Sequence, residues 1–288
     1  MKIVLPPTIN YHLWKACNMR CKFCFATFQD VPKKLVPKGH LPKEESKKVI
    51  KLLAQQGIDK INFAGGEPLL CPWLGDLIIH AKELGIKTSI ITNGSHLTKN
   101  WLEQYGKYLD LIGISMDSLH PETNVKSGRF AKGKGGYDYN TYLKLASLVK
   151  DAGIPLKINT VVSQYNLDED MNLFISEVSP SRWKVFKVLP IGGQNEITDG
   201  WSITETEFND WLYKHKEQKV LVPENNDAMT ASYGMIDPAG RFYDNEDGIH
   251  NYSKPILEIG ALEAFKMVAY DHNRFKDRGG IYELTATK

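Results

Sequence analysis

Three of the four cysteines crowd into the eight residues from Cys17 to Cys24, spaced C-x3-C-x2-C, while the fourth, Cys71, stands far from them. Thiolates are soft ligands that select iron-sulfur clusters, zinc or copper(I). A four-iron cluster takes four ligands, so three cysteines leave one iron open to an exogenous ligand. The competing arrangement is a zinc ion held by the same thiolates and completed by Cys71 or a histidine. Structural zinc more often shows two paired C-x-x-C units, and this chain has no such pair. Further on, Gly65-Gly66-Glu67-Pro68 offers backbone groups without side chains, and a carboxylate, that together can meet an α-amino group. Alone it would be an ordinary glycine turn; beside a thiolate loop it is a candidate for a cofactor site.

Charge marks a third place. Side chains two apart on a strand share a face, and three strand-like runs carry polar pairs at that spacing: Lys60 with Asn62, Lys157 with Asn159, and Arg182 with Lys184. Their neighbours Ile61, Ile158, Trp183 and Val185 are apolar and belong on the opposite, helix-facing side. An unpaired buried charge costs several kcal/mol, and a bound polyanion would offset that cost. A triphosphate needs about this many donors, and the chain has no GxxxxGK[ST] loop to cradle one otherwise. Arg129, Lys132 and Lys134, in the next glycine-rich stretch, are weaker candidates, with Lys132 reading as solvated charge. Lysines at strand ends that reach to water are the alternative.

These groups need a frame. From Thr8 to about Leu189, β-branched or aromatic runs alternate with stretches of helical period, which implies βα units and a parallel sheet. Six strands are expected, near Ile9–Leu13, Lys60–Phe63, Lys87–Thr92, Leu109–Ser115, Leu156–Val162 and Trp183–Leu189. Pro42 reads as a first helical residue, Gly57, Gly85 and Gly153 as helix stops, and Thr204 with Glu207 as a capping box. Six units are too few for a closed eight-stranded barrel. The expected fold is therefore α/β, a partial (βα)6 barrel over residues 1–190, with residues 191–288 as a C-terminal extension capping the open mouth.

The 288 residues can bury a large core, and 36 Lys plus Arg against 34 Asp plus Glu give no overall field for nucleic acid or an acidic membrane. Clustered cysteines fit a reducing compartment better than a disulfide framework. No charged-then-apolar leader opens the chain, and no apolar run nears the ~20 residues a bilayer needs. A cytoplasmic monomer that binds neither nucleic acid nor membrane is the expectation.

The C-x3-C-x2-C spacing with Phe23 before the last cysteine resembles the signature of the radical S-adenosylmethionine superfamily, and Gly65-Gly66-Glu67-Pro68 matches a second element of it. Longer runs resemble the viperin-like enzymes within it: Asn10-Tyr11-His12, Lys60 to Pro68, Lys157-Ile-Asn159, Asp168 to Met171, Arg182 to Phe186, Leu221 to Glu224 and Arg278-Gly-Gly280, in order and spanning residues 8 to 282.

What that resemblance implies is a [4Fe-4S] cluster on Cys17, Cys21 and Cys24, and S-adenosylmethionine (SAM) held by Phe23, Gly65, Gly66, Glu67, Asn93, Ser115 and Asp117. It implies a nucleoside triphosphate contacted by Asn10, Lys60, Asn62, Arg129, Lys157, Asn159, Arg182, Lys184 and Lys254. Reductive cleavage of SAM would give a 5'-deoxyadenosyl radical that removes the ribose 4'-hydrogen. Loss of the 3'-hydroxyl as water and a one-electron, one-proton reduction would then yield a 3'-deoxy-3',4'-didehydro nucleotide. Tyr233 falls where the family has a candidate hydrogen donor. CTP is the substrate implied most often, with UTP or GTP as alternatives, since Ala64, the stretch Phe130 to Tyr137 and the stretch Asp244 to Asn251 depart from the animal proteins. A ferredoxin or flavodoxin would supply electrons, and the product would serve antiviral defence. Two rivals remain: a zinc-stabilised nucleotide-binding module without catalysis, and a peptide-modifying or sulfur-inserting radical enzyme. The second is disfavoured because no cysteine follows Cys71 to hold a further cluster.

Overall fold

All six expected strands are present in the computed structural model, which describes residues 4–133, 135–195 and 200–282; the candidate Lys134 lies outside the described residues. They are β1 (Thr8–Trp14), β2 (Lys60–Gly65), β3 (Lys87–Thr92), β4 (Leu111–Ser115), β7 (Leu156–Val162) and β8 (Arg182–Lys187), hydrogen-bonded in that order and all parallel. Between β4 and β7 lies a two-stranded antiparallel hairpin, β5 (Phe130–Ala131) and β6 (Gly135–Gly136). The central strands are covered by helices, so Ile61, Ile90, Ile112, Ile158, Trp183 and Val185 are almost fully buried, as the strand parity required. Each such aliphatic side chain contributes about 1.5–3 kcal/mol.

The helices present one apolar stripe each. Helix Lys43–Ala54 buries Val49, Ile50 and Leu53, helix Leu74–Glu83 buries Leu74, Leu77, Ile78 and Ala81, and helix Tyr139–Asp151 buries Tyr142, Leu145, Ala146 and Val149. These are spacings of three and four residues, the geometry of a single helix face. Thr204 and Glu207 form the expected capping box, each side chain bonding the other residue's backbone. Pro42 differs from its expected place by one residue. It is the N-cap of helix Lys43–Ala54 rather than its first residue.

The C-terminal segment extends the sheet at both edges. Its strand β9 (Leu221–Glu224) adds parallel to β8 at one edge, and β10 (Gly234–Ile236) adds parallel to β1 at the other. Strands β11 (Arg241–Asp244) and β12 (Asn251–Pro255) continue antiparallel beyond β10. The sheet thus holds ten strands in the order β12-β11-β10-β1-β2-β3-β4-β7-β8-β9. These strands are three to five residues long, too short for a periodic signal to rise above the surrounding polar residues.

Close backbone approach explains the paired glycines. A Cβ on Gly65 would overlap the carbonyl of Trp14, and one on Gly66 the carbonyls of Lys15 and Ala16. The glycine turn therefore lies directly against the chain entering the cysteine loop, joined by bonds from Gly66 N to Trp14 O at 2.5 Å and from Glu67 N to Ala16 O at 2.9 Å. Gly128, at φ +83°, does the same for the loop's other side, where Arg20 N and Lys22 N donate to Gly128 O and Ser127 O.

Candidate active site

One cavity of about 640 Å³ opens at the ends of the strands and gathers most of the residues singled out above. Cys17, Cys21 and Cys24 line it, partly buried and free of disulfides, together with Phe23. Burial raises the pKa of all three thiols, that of Cys21 to about 12, so a metal that takes their protons must supply the driving force. Cys71 is buried and does not line the cavity. Among the described residues, no three His, Cys, Asp or Glu side chains are grouped to hold a single metal ion.

Glu67 forms the cavity's anionic point. One carboxylate oxygen accepts from Thr92 Oγ1 at 2.6 Å and Leu69 N at 3.0 Å, and the other from Asn93 N at 2.7 Å. Burial nevertheless raises its pKa to about 7. Oε2 keeps a lone pair for one further donor, such as an ammonium. Asn93 in turn donates to Asn18 Oδ1 at 3.0 Å and approaches Cys17 Sγ at 3.9 Å, linking this corner to the cysteine loop.

The far wall is cationic. Lys157 is buried and lines the cavity, and among the described residues it has no hydrogen-bond or ion-pair partner. Burial, reinforced by Lys184 and Lys60, holds its pKa well below the ordinary lysine value. Lys184 is pushed down to about 7 by burial despite its ion pair with Glu224. Glu224 is the hub here, accepting from Lys184 and from Arg278 at 3.3 Å, while the Tyr233 hydroxyl donates to its second oxygen. Tyr233 also accepts from Lys184 at 3.1 Å, and the Arg278 guanidinium lies 3.5 Å from its ring centroid. Ala231, just upstream, takes the left-handed φ of +52° and is held by Asn245 Oδ1 at 2.9 Å. That turn aims Tyr233 into the cavity at a cost in backbone strain.

A model of the Radical SAM superfamily matches residues 11–177. The chain is 48% identical over 278 residues to an S-adenosylmethionine-dependent nucleotide dehydratase of Flammeovirga pacifica, covering 96% of both chains. The chain belongs to this family of radical SAM proteins. A nucleotide dehydratase of the same description from Lacinutrix mariniflava is 50% identical over 98% of this chain, and the chain spans 60% of that relative's length. Among solved structures, Streptococcus suis SuiB bound to precursor peptide SuiA superimposes with TM-score 0.71 over 96% of this chain and 67% of its own, at 20% identity. At that identity the likeness shows the fold.

Within this radical SAM protein, the expected site residues divide in two. Asn10, Asn62, Gly65, Gly66, Asn93, Ser115, Asp117, Arg129, Lys157, Asn159, Lys184 and Tyr233 line the cavity with the cysteines, Phe23 and Glu67. Lys60, Arg182 and Lys254 do not. Lys60 donates to the Tyr282 hydroxyl at 3.0 Å, and Arg182 lies 4.2 Å from the Tyr282 ring centroid and donates to Gly279 O at 2.8 Å. Lys254 stands exposed on edge strand β12, away from the cavity lining. Asp117 is engaged by Arg129 and by Val161 N at 2.9 Å, so two residues expected on different ligands form one ion pair. Asn62 donates to Asn10 and accepts from Ser89, both at 2.9 Å, whereas the buried Asn159 Oδ1 has no partner among the described residues.

Sequence reasoning missed the roles of Glu224 and Arg278, although both stand in runs that carried the resemblance. It also missed His12, whose pKa burial lowers to about 3 and whose ring meets Phe25, Phe28 and Tyr243 edge-on beside the cysteine loop. A parity argument starts from pairs along one strand, and these residues meet across segments.

Proposed function

We propose that the chain is a radical SAM nucleotide dehydratase acting on a nucleoside triphosphate, CTP first, with UTP and GTP as alternatives. The observation that carries this reading is the charge of the far wall. Among the described residues, Lys157 and Lys184 in the cavity, with Lys60, Arg182 and Arg278 behind and beside them, meet a single carboxylate, Glu224. That surplus suits a polyphosphate.

The donor set suits a cluster: Cys17, Cys21 and Cys24 stand on one loop and line the same cavity, and thiolates are ligands that iron-sulfur clusters take. Cys17, Cys21 and Cys24 would hold [4Fe-4S], and the bound group would supply the electron that splits SAM to the radical taking the ribose 4'-hydrogen. The protein's part is orientation. Glu67 accepts the SAM ammonium, and Gly65 and Gly66, which line the cavity, offer backbone groups to its methionine portion. Asn10, Asn62 and Asn159 offer amides to the ribose, and Lys157 and Lys184 fix the phosphates. Tyr233 stands in the cavity as the candidate hydrogen donor. We assign residues 191–288 to completing the nucleotide site. The electron donor would be a ferredoxin or flavodoxin, and the cysteine usage suits a cytoplasmic setting. The product, without a 3'-hydroxyl, would end a growing polynucleotide, which is the basis for an antiviral role. Among the described residues no helix is long and apolar enough to cross a membrane.

Reduced, anaerobically reconstituted protein given SAM and each of the four ribonucleoside triphosphates should release 5'-deoxyadenosine fastest with CTP, read by mass spectrometry. Stimulation by none of the four overturns the nucleotide assignment.

Glu67 adds a pH prediction. An ammonium partner needs the carboxylate ionised, and burial sets the pKa of Glu67 at about 7. SAM binding should therefore weaken as pH falls from 8 to 6, about tenfold per unit below the pKa, with a proton released on binding. Glu67→Gln should remove this pH dependence and lower affinity by roughly 1.5–3 kcal/mol, the worth of a charged hydrogen bond. Equilibrium binding of SAM at three pH values checks both.

A further inference from the structure

We propose that the basic face around the cysteine loop is the docking site for a small acidic one-electron carrier protein, which deepens the reading above and rests on its cluster assignment. Residues 15 to 43 carry seven Lys or Arg and one acid, Asp30, a net of +6 in a chain whose total is +2. Asp30 is spent on Arg241 at 2.9 Å, and Lys43 on Asp76. Lys15, Arg20, Lys22, Lys33 and Lys38 form no ion pair with a described carboxylate, and the last four are exposed.

These charges surround the cysteines. Arg20 and Lys22 flank Cys21 in sequence, and Arg20 folds its guanidinium onto the Met19 carbonyl at 2.8 Å. Lys15 and Lys33 stand at the cavity's rim. Lys38 adjoins Gly39, which packs on the Lys15 side chain. That corner is rigid, because His40 stacks on Trp14 at 4.0 Å and Trp73 closes the group edge-on at 5.5 Å from Trp14. Two exposed apolar side chains, Phe25 at 38% and Leu35 at 42%, lie on the same segment.

Exposed apolar side chains on a segment rich in charge are the make-up of a transient protein interface, and encounters between redox proteins are small, weak and electrostatically steered. A nucleotide needs no exposed phenylalanine and leucine to be steered, and its charges are met inside the cavity. On docking, one electron leaves the reduced carrier, which is oxidised by one, and enters at the cysteine-held cluster, which is reduced by one. No proton moves and no bond changes.

The test uses the anaerobically reconstituted holoprotein and a reduced flavodoxin as the probe, with stopped-flow absorbance following cluster reduction. Lys22→Glu combined with Lys38→Glu should slow reduction at least tenfold at low ionic strength and flatten its salt dependence. Reduction by photoexcited deazaflavin, and binding of CTP, should stay unchanged. If the cluster forms and deazaflavin reduces it, but the flavodoxin rate ignores both substitutions, the docking site is wrong while the cluster reading stands. A protein that takes up no iron fails at the cluster instead, and the docking proposal falls with it. Unaltered flavodoxin rates together with loss of co-sedimentation with phosphatidylglycerol vesicles would assign this face to a membrane and overturn the proposal.

Discussion

Cys21→Ala is expected to reduce SAM cleavage to background and to cut iron and sulfide below the content of the parent protein, whereas Cys71→Ser should leave both intact. The contrast follows from position. Cys21 faces the cavity between the loop's other two thiols, and its loop is pinned on both sides, by Gly66 against the entering chain and by Gly128 against Arg20. Cys71 is buried at the end of the short helix after Glu67 and outside the cavity lining. A zinc site completed by Cys71 predicts the reverse for the second variant, with loss of metal and of fold. Metal analysis and the visible spectrum of anaerobically purified protein distinguish the two. Equal metal loss in both variants would remove the basis for a cluster with one open iron.

The core of the fold was legible because its signals are local. Six strands came from β-branched runs, and the parity of Lys60, Lys157 and Lys184 correctly placed Ile61, Ile158 and Trp183 in the helix-facing core. The cysteine loop and the glycine turn were legible for the same reason: each is a contiguous run whose chemistry needs no third segment to declare itself. Legibility failed where the site is assembled from distant pieces. Glu224 and Arg278 belong to separate stretches of the C-terminal segment, and only folding joins them to Lys184 and to Tyr233, which the resemblance alone singles out. Parity also overreached. Lys60 and Arg182 stand at the first residues of their strands, where Tyr282 covers them, so sharing a face with Asn62 and Lys184 did not bring them to the same cavity.

The same hub leads to the larger test of the nucleotide site. Lys184 has a pKa of about 7, and Lys157 is held well below its ordinary value. An unfolded lysine keeps its proton to a pH of about 10.4. Between pH 7 and 10 the unfolded chain thus binds more protons than the folded one at Lys184, and this residue makes the protein more stable as pH rises. A triphosphate reverses the preference, because it favours both lysines charged. Nucleotide binding should therefore take up protons at pH 8, seen in calorimetry as an enthalpy that depends on the buffer's ionisation heat. Affinity should fall as pH rises from 7 to 9, by up to about tenfold per unit for each lysine that must be charged. Glu224→Gln isolates the internal anion: it leaves Lys184 and Arg278 without a counter-charge, and breaking a buried pair from one side costs about 3–5 kcal/mol. The variant should melt well below the parent when empty. Tripolyphosphate should then raise its melting temperature more than the parent's, since the ligand replaces the missing charge. An equal or smaller rise would mean that Glu224 helps to bind the nucleotide, rather than holding the place of its phosphates.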